Sequence, residues 1–278
     1  MRFLAMIMAA LMTLAGCSTS AVLTPAVPPL ESEKYAAIVV DANSDRVLYE
    51  HASRDARYPA SLTKMMTLYL LFEALDSGLI DLSDQIPFSN YAASRPPSKL
   101  GLKAGQSLDV QAAILALCVK SANDVATAVA EHLAGSEEQF AGMMTAKGRL
   151  IGMHSTTFRN ASGLPNSEQI STARDMAMLA RALRKRFPHR YHYFANRSFA
   201  YGGKTIRGHN KLLGRVDGVD GLKTGYIRAS GFNVATSAAR GGRGVIAIVM
   251  GGESATERDA HMEKLIDIYL PRAVVAGR

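Results

Sequence analysis

The sequence predicts an α/β protein, more narrowly α+β, with one antiparallel sheet built from both chain ends, flanked by helices, and a helical subdomain inserted between those ends. Two observations predict this. Strand patterns occur near both ends, in KYAAIVVD and DRVLYEHA and again in GFNVATSAA and VIAIVMGG. Between them, apolar residues recur three and four positions apart, as in SLDVQAAILALCVK and NDVATAVAEHLAG, which is typical of helices. Terminal strands with helices between them favour one sheet with helices packed beside it.

The composition is that of a globular protein and excludes some functional classes. The chain has 278 residues, of which 48% are hydrophobic and 20% are charged. Its formal charge is +8, but the 32 lysines and arginines are scattered and the aromatic residues form no stacking pattern. We therefore expect no nucleic-acid partner. The charge fits an anionic surrounding such as lipid headgroups or wall polymer.

Residues 1–16, MRFLAMIMAALMTLAG, have the pattern of a signal peptide: Arg2, an apolar run too short to span a bilayer, and small residues at the end. The following Leu-Ala-Gly-Cys resembles the lipobox of bacterial lipoproteins and implies acylation of Cys17. Ordinary secretion with cleavage after Ala21 is the alternative. Residues 17–31 are small and proline-rich, and we interpret them as a flexible tether. The protein is therefore expected to be exported to the periplasm and held at a membrane through Cys17.

A helix predicted from Ser61 carries two polar residues in its first turn. Pro59 precedes it as a helix-start signal. At such a start the backbone N–H groups are unpaired and the positive end of the helix dipole is near, which suits an oxyanion formed in acyl transfer. Lys64 returns to the face of Ser61, and burial beside another cation can make it a neutral base. The simpler interpretation is a capping serine and a lysine reaching to solvent.

Two further motifs follow in the chain. VKSANDVA places Ser121 and Asn123 at a predicted junction of two helices, a pattern that by itself is typical of a turn or cap. GVDGLKTGYIRASGFNV places Lys-Thr-Gly at the head of a predicted strand, which by itself fits a polar edge strand protected by lysine. The nearby GGKT is not a phosphate-binding loop, because Ser198 stands where that loop requires its first glycine.

Together, S-x-x-K, S-x-N and K-T-G in this order match the motifs of penicillin-binding proteins and class A β-lactamases. The chain resembles the serine-type D-alanyl-D-alanine carboxypeptidases, low-molecular-mass penicillin-binding proteins of peptidase family S11, from about residue 34 to 270. The phrases YPASLTKMMT, KSANDVA, FRNASGLPNSEQISTARDMAMLARAL, YGGKTIRGHNKLL and VDGLKTGY carry this resemblance. It implies a β-lactamase/transpeptidase-like fold and no cofactor.

The resemblance implies specific catalytic roles. Ser61 is expected to be the nucleophile that forms an acyl-enzyme, and Lys64 its general base. Ser121 relays a proton to the leaving amine, while Asn123 holds the substrate amide and positions Lys64. The backbone N–H groups of Ser61 and Tyr226 form the oxyanion hole. Which group deprotonates the serine is disputed across the superfamily.

The resemblance also implies the substrate and the residues that bind it. The substrate is a peptidoglycan stem peptide ending in D-Ala-D-Ala, and β-lactam antibiotics are covalent inhibitors. Lys223 contributes positive charge and Thr224 a hydroxyl for the terminal carboxylate. Gly225 lets the peptide lie along the strand. Arg258 falls where the family places a second carboxylate-binding arginine, in a looser local motif.

The domain organisation departs from many relatives. We expect a catalytic domain over residues 32–272 and a tail over 273–278, without the second β-rich domain or the C-terminal amphipathic helix of many family carboxypeptidases. The lipid on Cys17 would replace that anchor. Because single-domain relatives include endopeptidases that cut the peptide crosslink, the sequence leaves a DD-endopeptidase as the alternative to a DD-carboxypeptidase.

Other functions are less well supported by the sequence. A class A β-lactamase needs a glutamate to activate water, and Glu168 is the only carboxylate in NASGLPNSEQIS, without the asparagine expected after it. A non-catalytic wall-binding lipoprotein would not need all the catalytic residue types. His189 and His192 lack the third ligand of a metal hydrolase, so we expect no metal. Cys118 lies on an apolar helix and is expected to be a buried structural thiol.

Overall fold

The computed structural model describes residues 27–277. The predicted signal peptide, Cys17 and most of the predicted tether lie outside the described residues, so the lipoprotein interpretation stays a prediction. Within the described range, no helix is both long enough and apolar enough to cross a bilayer.

A five-stranded antiparallel sheet lies at the centre, and both ends of the chain contribute to it, as predicted. Its strand order is β2-β1-β9-β8-β7. The first strand pairs with the last, with Ile38 opposite Ile248. The bounds of these strands are β1 Ala36–Asp41, β2 Val47–His51, β7 Val219–Ile227, β8 Gly231–Arg240 and β9 Arg243–Gly252.

Two short hairpins lie outside the main sheet. One pairs β3 (Gln85–Pro87) with β4 (Ser107–Asp109), and the other pairs β5 (Ser198–Tyr201) with β6 (Lys204–Arg207). The sequence GGKT, rejected above as a phosphate loop, forms the turn of the second hairpin and the first two residues of β6. Gly202 and Gly203 there have positive φ values.

Seven α-helices complete the described part of the chain. Their bounds are α1 Lys64–Asp76, α2 Asn90–Ala93, α3 Val110–Leu115, α4 Asn123–Ala134, α5 Glu137–Leu150, α6 Ala173–Arg186 and α7 Ala255–Tyr269. Several begin at the capping residues that the sequence offers: Ser136, Thr172 and Ser254 each accept a hydrogen bond from the backbone N–H three residues on. The helices between β2 and β7 form the inserted helical part.

The two faces of the sheet pack against different layers. On β9, Val245, Ala247 and Val249 belong to the cluster that includes α7, whereas Ile246 and Ile248 belong to the larger cluster that includes the inserted helices. This alternation follows from the two-residue period of side chains along a strand. Helix α1 runs through the larger cluster and is buried from residue 64 to residue 72. A helix that is apolar on nearly all sides is stable only when it is covered on all sides.

Two local predictions differ from the structure. SLDVQAAILALCVK was predicted to be helical throughout, but residues 107–109 form β4, and the helix begins at Val110 after the capping side chain of Asp109. The Lys-Thr-Gly motif was predicted to head its strand, but β7 starts four residues earlier at Val219. The pairing of Val219 with Ala238 of β8 extends the strand beyond what its own residues indicate.

Candidate active site

Ser61 lies in a tight turn that leads into α1. Residues Ala60–Thr63 form a single 3₁₀ turn, and the α-helix continues from Lys64. Ala60 has a φ of +49°, so the chain turns sharply just before the serine. The Ser61 side chain is partly exposed and faces a cavity, and its N–H has no preceding helical carbonyl to bond.

Lys64 is fully buried, and its Nζ has three oxygen neighbours. Nζ lies 3.1 Å from Ser61 Oγ, 2.7 Å from Asn123 Oδ1 and 2.5 Å from the carbonyl oxygen of Ser162. Burial, with the neighbouring charge of Lys223 as the second cause, holds the pKa of Lys64 well below its usual range, although Asp124 and Glu137 act in the opposite direction. Two carbonyl-type oxygens can accept the two N–H bonds of a neutral amine. The lone pair of the amine then faces the serine hydroxyl.

The second motif lies at a strained junction between helices. Residues Ala116–Lys120 form a π turn, and Ser121 follows with φ 60° and ψ 40°, the left-handed region. Its Oγ is buried, lacks a hydrogen-bond partner among the described residues, and belongs to a side chain that lines the cavity. Asn123 begins α4, and its Nδ2 donates to Pro96 O at 2.9 Å, which leaves Oδ1 for Lys64.

The third motif lies within the edge strand β7. Lys223 is 2% exposed, so it does not protect a solvent edge as the simpler interpretation required. Its Nζ donates to Thr224 O at 3.0 Å, and burial lowers its pKa to about 8. Thr224, Gly225 and Tyr226 line the cavity. Lys223 does not itself line the cavity, but its positive charge contributes to the lowered pKa values of Lys64 and of His209, so it acts on the site through its charge.

Two glycines bring separate segments against the Ser61 turn. A Cβ at Gly225 would lie 2.9 Å from Ser61 N, so a side chain there would push β7 away from the serine backbone. A Cβ at Gly163 would lie only 1.8 Å from Ala60 O, and Gly163 has a φ of +85°. The sequence suggested that Gly225 makes room for a peptide. The structure adds that it permits contact between β7 and the start of the helix.

Arg258 reaches the cavity from the first turn of α7. It is 3% exposed, and its Nε and Nη2 donate to Asp259 Oδ1 at 2.9 and 2.7 Å. Nη1 donates to Asn233 O at 3.1 Å. A guanidinium has five N–H groups, so groups remain on both terminal nitrogens for a ligand. Because the carboxylate of Asp259 partly neutralises the charge of Arg258, the positive potential of the cavity depends more on Lys223 than the sequence indicated.

These residues surround a cavity of about 520 Å³. Ser61, Ser121 and Asn123 line it together with Thr224–Tyr226 of β7. His209 and Lys211 also line it, whereas none of its lining residues in the described part of the chain is Asp or Glu. Burial, followed by the charges of Lys223, Lys120 and Lys211, lowers the pKa of His209 below its usual range. The cavity therefore combines a serine hydroxyl, a buried amine and a surplus of positive charge.

This arrangement agrees with what comparison of the whole sequence shows. The sequence profile described as peptidase S11, D-alanyl-D-alanine carboxypeptidase, matches residues 22–254. The chain belongs to this family. D-alanyl-D-alanine carboxypeptidase DacA of Escherichia coli K12 is 35% identical in an alignment of 249 residues that covers 87% of this chain and 61% of that one. The chain spans about 61–62% of the length of the first curated relatives that it matches.

Solved structures of relatives have the same fold. The D-alanyl-D-alanine carboxypeptidase DacD of Francisella tularensis superposes with a TM-score of 0.83 at 28% identity, covering 88% of this chain and 72% of that one. Penicillin-binding protein D2 of Listeria monocytogenes, in its cefotaxime-bound form, has a TM-score of 0.77 at 30% identity and coverages of 84% and 95%. The β-lactamase/transpeptidase-like fold predicted for this S11 protein is thereby confirmed.

Three residues considered in the sequence analysis do not line this cavity. Glu168 has a side chain 68% exposed and contacts Arg159 at 3.4 Å, and it does not line the cavity. His189 is exposed and lies 3.1 Å from Asp76. Cys118 as a residue is only partly buried, less than predicted, but burial of its thiol raises the pKa to about 12, against the opposing charge of Lys223. A protonated thiol is a poor nucleophile.

Sequence reasoning missed several supports of the site. The carbonyl of Ser162 contacts Lys64, and Asn160 Oδ1 holds that loop by accepting from Gly163 N at 2.7 Å. Asn233 is fully buried in β8, and its Nδ2 donates to Tyr58 O and to the carbonyl of Pro59, next to the serine turn. The sequence could have indicated this role, because a polar amide within the apolar run GFNVATSAA is expected to be buried and hydrogen-bonded. No residue type in the sequence could have indicated the contact that the backbone carbonyl of Ser162 makes with Lys64.

Proposed function

We propose that this protein is a serine DD-carboxypeptidase that removes the terminal D-alanine from peptidoglycan stem peptides. The observation that carries the proposal is the contact of 3.1 Å between Ser61 Oγ and the buried Nζ of Lys64. Neither group reacts well alone, because a serine hydroxyl needs a base and an ordinary lysine is protonated at neutral pH. Their pairing in a positively charged cavity fits attack on a peptide that ends in a carboxylate.

In the proposed acylation, Ser61 Oγ attacks the carbonyl carbon of the penultimate D-alanine, and its proton passes to Lys64 Nζ. The N–H groups of Ser61 and Tyr226 stabilise the oxyanion. When the C–N bond breaks, the leaving amine takes a proton through Ser121, whose Oγ has no partner among the described residues. Water then hydrolyses the ester and regenerates the serine. Asn123 holds Lys64 and the substrate amide throughout.

The remaining residues are assigned to substrate recognition. Thr224 and Arg258 bind the terminal carboxylate, with Arg258 offering the N–H groups not used by Asp259 and Asn233, and Lys223 contributes positive charge. A β-lactam would acylate Ser61 in the same way. Because the described lining of the cavity has no carboxylate to activate water, we infer slow hydrolysis of that adduct, unlike in a class A β-lactamase. The proposed location is extracytoplasmic, with a lipid on Cys17 as anchor.

The proposal is tested with the purified full-length chain. We expect release of D-alanine from disaccharide pentapeptides, identified by mass spectrometry. Conversion of crosslinked dimers to monomers without release of D-alanine would replace the proposal with a DD-endopeptidase.

Ser61→Ala is expected to abolish covalent labelling by a fluorescent penicillin, because Ser61 Oγ is the only side-chain hydroxyl that contacts Lys64 Nζ within residues 27–277. Labelling is read on a denaturing gel after incubation with the full-length chain. Ser77→Ala, just beyond the far end of α1, is the matched control and should label like the wild type. Labelling that persists in Ser61→Ala would show that the nucleophile is another residue.

The rate of acylation is expected to follow a bell-shaped pH profile. The rate rises as Lys64 loses its proton, at a pH below the usual lysine range because its pKa is lowered. It falls above about pH 8, where Lys223 loses its proton and the substrate carboxylate loses a cation. Lys223→Arg keeps its charge at high pH, so the falling limb should disappear. A falling limb that is unchanged in Lys223→Arg would contradict the role of Lys223.

A further inference from the structure

A second cleft continues from the reaction cavity at Leu164. Leu164 lines both the cavity of about 520 Å³ and a neighbouring one of about 280 Å³. It belongs to the loop between α5 and α6, on the side of the inserted helices, whereas Arg258 enters the reaction cavity from the side of the sheet. If the terminal carboxylate of a peptide lies near Arg258, the preceding residues can extend past Leu164 into this second cleft.

Arg95 is the main cationic group of the second cleft. Its guanidinium carbon lies 3.8 Å from the centre of the Tyr91 ring, which orients the planar group. Its Nε is buried and has no hydrogen-bond partner within residues 27–277. Such a donor is costly in a folded protein, and a missing ligand is one explanation for it.

The charges around Arg95 leave it available to a ligand. Glu137 lines the same cleft, but its oxygens already accept from Tyr91 Oη, Thr127 Oγ1 and Ala161 N at 3.0–3.1 Å. Glu138 is exposed at the rim.

Arg159 is the second guanidinium of the cleft. Its only ion pair in the described range is with Glu168 at 3.4 Å, and both side chains are 45% or more exposed. Exposed ion pairs of this kind contribute little to stability, so Arg159 can leave Glu168 for a ligand.

We propose that this cleft binds a carboxylate of the substrate peptide, on a residue upstream of the scissile bond, through Arg95 and Arg159. The inference rests on the proposed function, since it extends the same peptide. A planar guanidinium suits a carboxylate because two parallel N–H bonds match its two oxygens. The cleft thereby selects stem peptides that carry an acidic residue before the D-Ala-D-Ala pair.

The test uses two synthetic pentapeptides that end in D-Ala-D-Ala and differ at one upstream residue, isoglutamate in one and isoglutamine in the other. With the full-length chain, kcat/KM is expected to be about tenfold higher for the acidic peptide, as for one added charge-assisted contact. Arg95→Gln and Arg159→Gln should each lower kcat/KM for the acidic peptide while leaving that for the amide peptide, and the rate of penicillin acylation, nearly unchanged.

Arg174→Gln is the control, because Arg174 pairs with Glu50 and lines neither cavity. Equal kcat/KM values for the two peptides in the wild type, or equal losses on both peptides in the variants, would overturn the proposal. If the wild type releases D-alanine from neither peptide, the proposed function fails, and the cleft is tested separately. In that case, stronger protection of Ser61 from penicillin by the acidic peptide than by the amide peptide would support binding in the cleft. Equal protection by the two peptides would refute it.

Discussion

Lys64→Met is expected to slow acylation of Ser61 by penicillin by about 10³- to 10⁴-fold, near the upper end of what a general base contributes. Methionine has a similar length and no basic group, so it fills the buried site of Lys64 without accepting the serine proton. The oxygens of Asn123 and Ser162 lose a donor, which costs about 1–3 kcal/mol of the free energy of unfolding. The rate is measured with a fluorescent penicillin under single-turnover conditions, and the fold is monitored by thermal unfolding.

Lys147→Met is the matched control for this substitution. Lys147 is half-buried and pairs with Glu73 at 2.9 Å, on α5 and away from the cavity. We expect normal acylation from it. If Lys64→Met also acylated at the wild-type rate while remaining folded, another group would have to be the base.

Gly163→Ala is expected to slow acylation by about a hundredfold and to lower the melting temperature. The added methyl group would lie 1.8 Å from Ala60 O, so the turn that carries Ser61 must move, and φ at position 163 is unfavourable for alanine. A displacement of about 1 Å at a reacting group can cost about 10²-fold in rate. Overpacking and the left-handed backbone together cost about 2–5 kcal/mol, or roughly 4–20 °C for a chain of this size.

Gly142→Ala provides the comparison for the second prediction. Gly142 lies within α5, and a Cβ there would meet nothing within 4 Å. Alanine is favoured over glycine in a helix interior, so this variant should be at least as stable as the wild type and fully active. A Gly163→Ala variant that acylated at the wild-type rate would show that the loop does not fix the position of Ser61.

The sequence was informative about the fold where its pattern is local. The strands at both ends and the helical period between them predicted the single sheet and the inserted helices, because side chains on one face repeat at fixed intervals. Boundaries were less well predicted. Residues 107–109 pair with β3, and β7 is lengthened by β8, so contacts from other segments decided where those elements begin.

For the candidate site, the order of three short motifs was sufficient to indicate the family and the nucleophile. Ser61 and Lys64 are three residues apart where a 3₁₀ turn leads directly into α1, so their proximity follows from local helical geometry. The local sequence predicted the conformation around Ser121, which is left-handed, only in part. Its position between two helices was predicted, but its unpaired Oγ is a property of the folded surroundings.

By itself, the sequence determined which chemical groups are present and which of them share a helix or strand, since those relations depend only on local backbone geometry. The tertiary structure decided the rest. It removed Lys64 and Lys223 from water, joined Asn123 and the Ser162 carbonyl to Lys64, and brought Arg258 to the carbonyl of Asn233. These effects arise from desolvation and from contacts between residues distant in the chain, which no short stretch of sequence specifies.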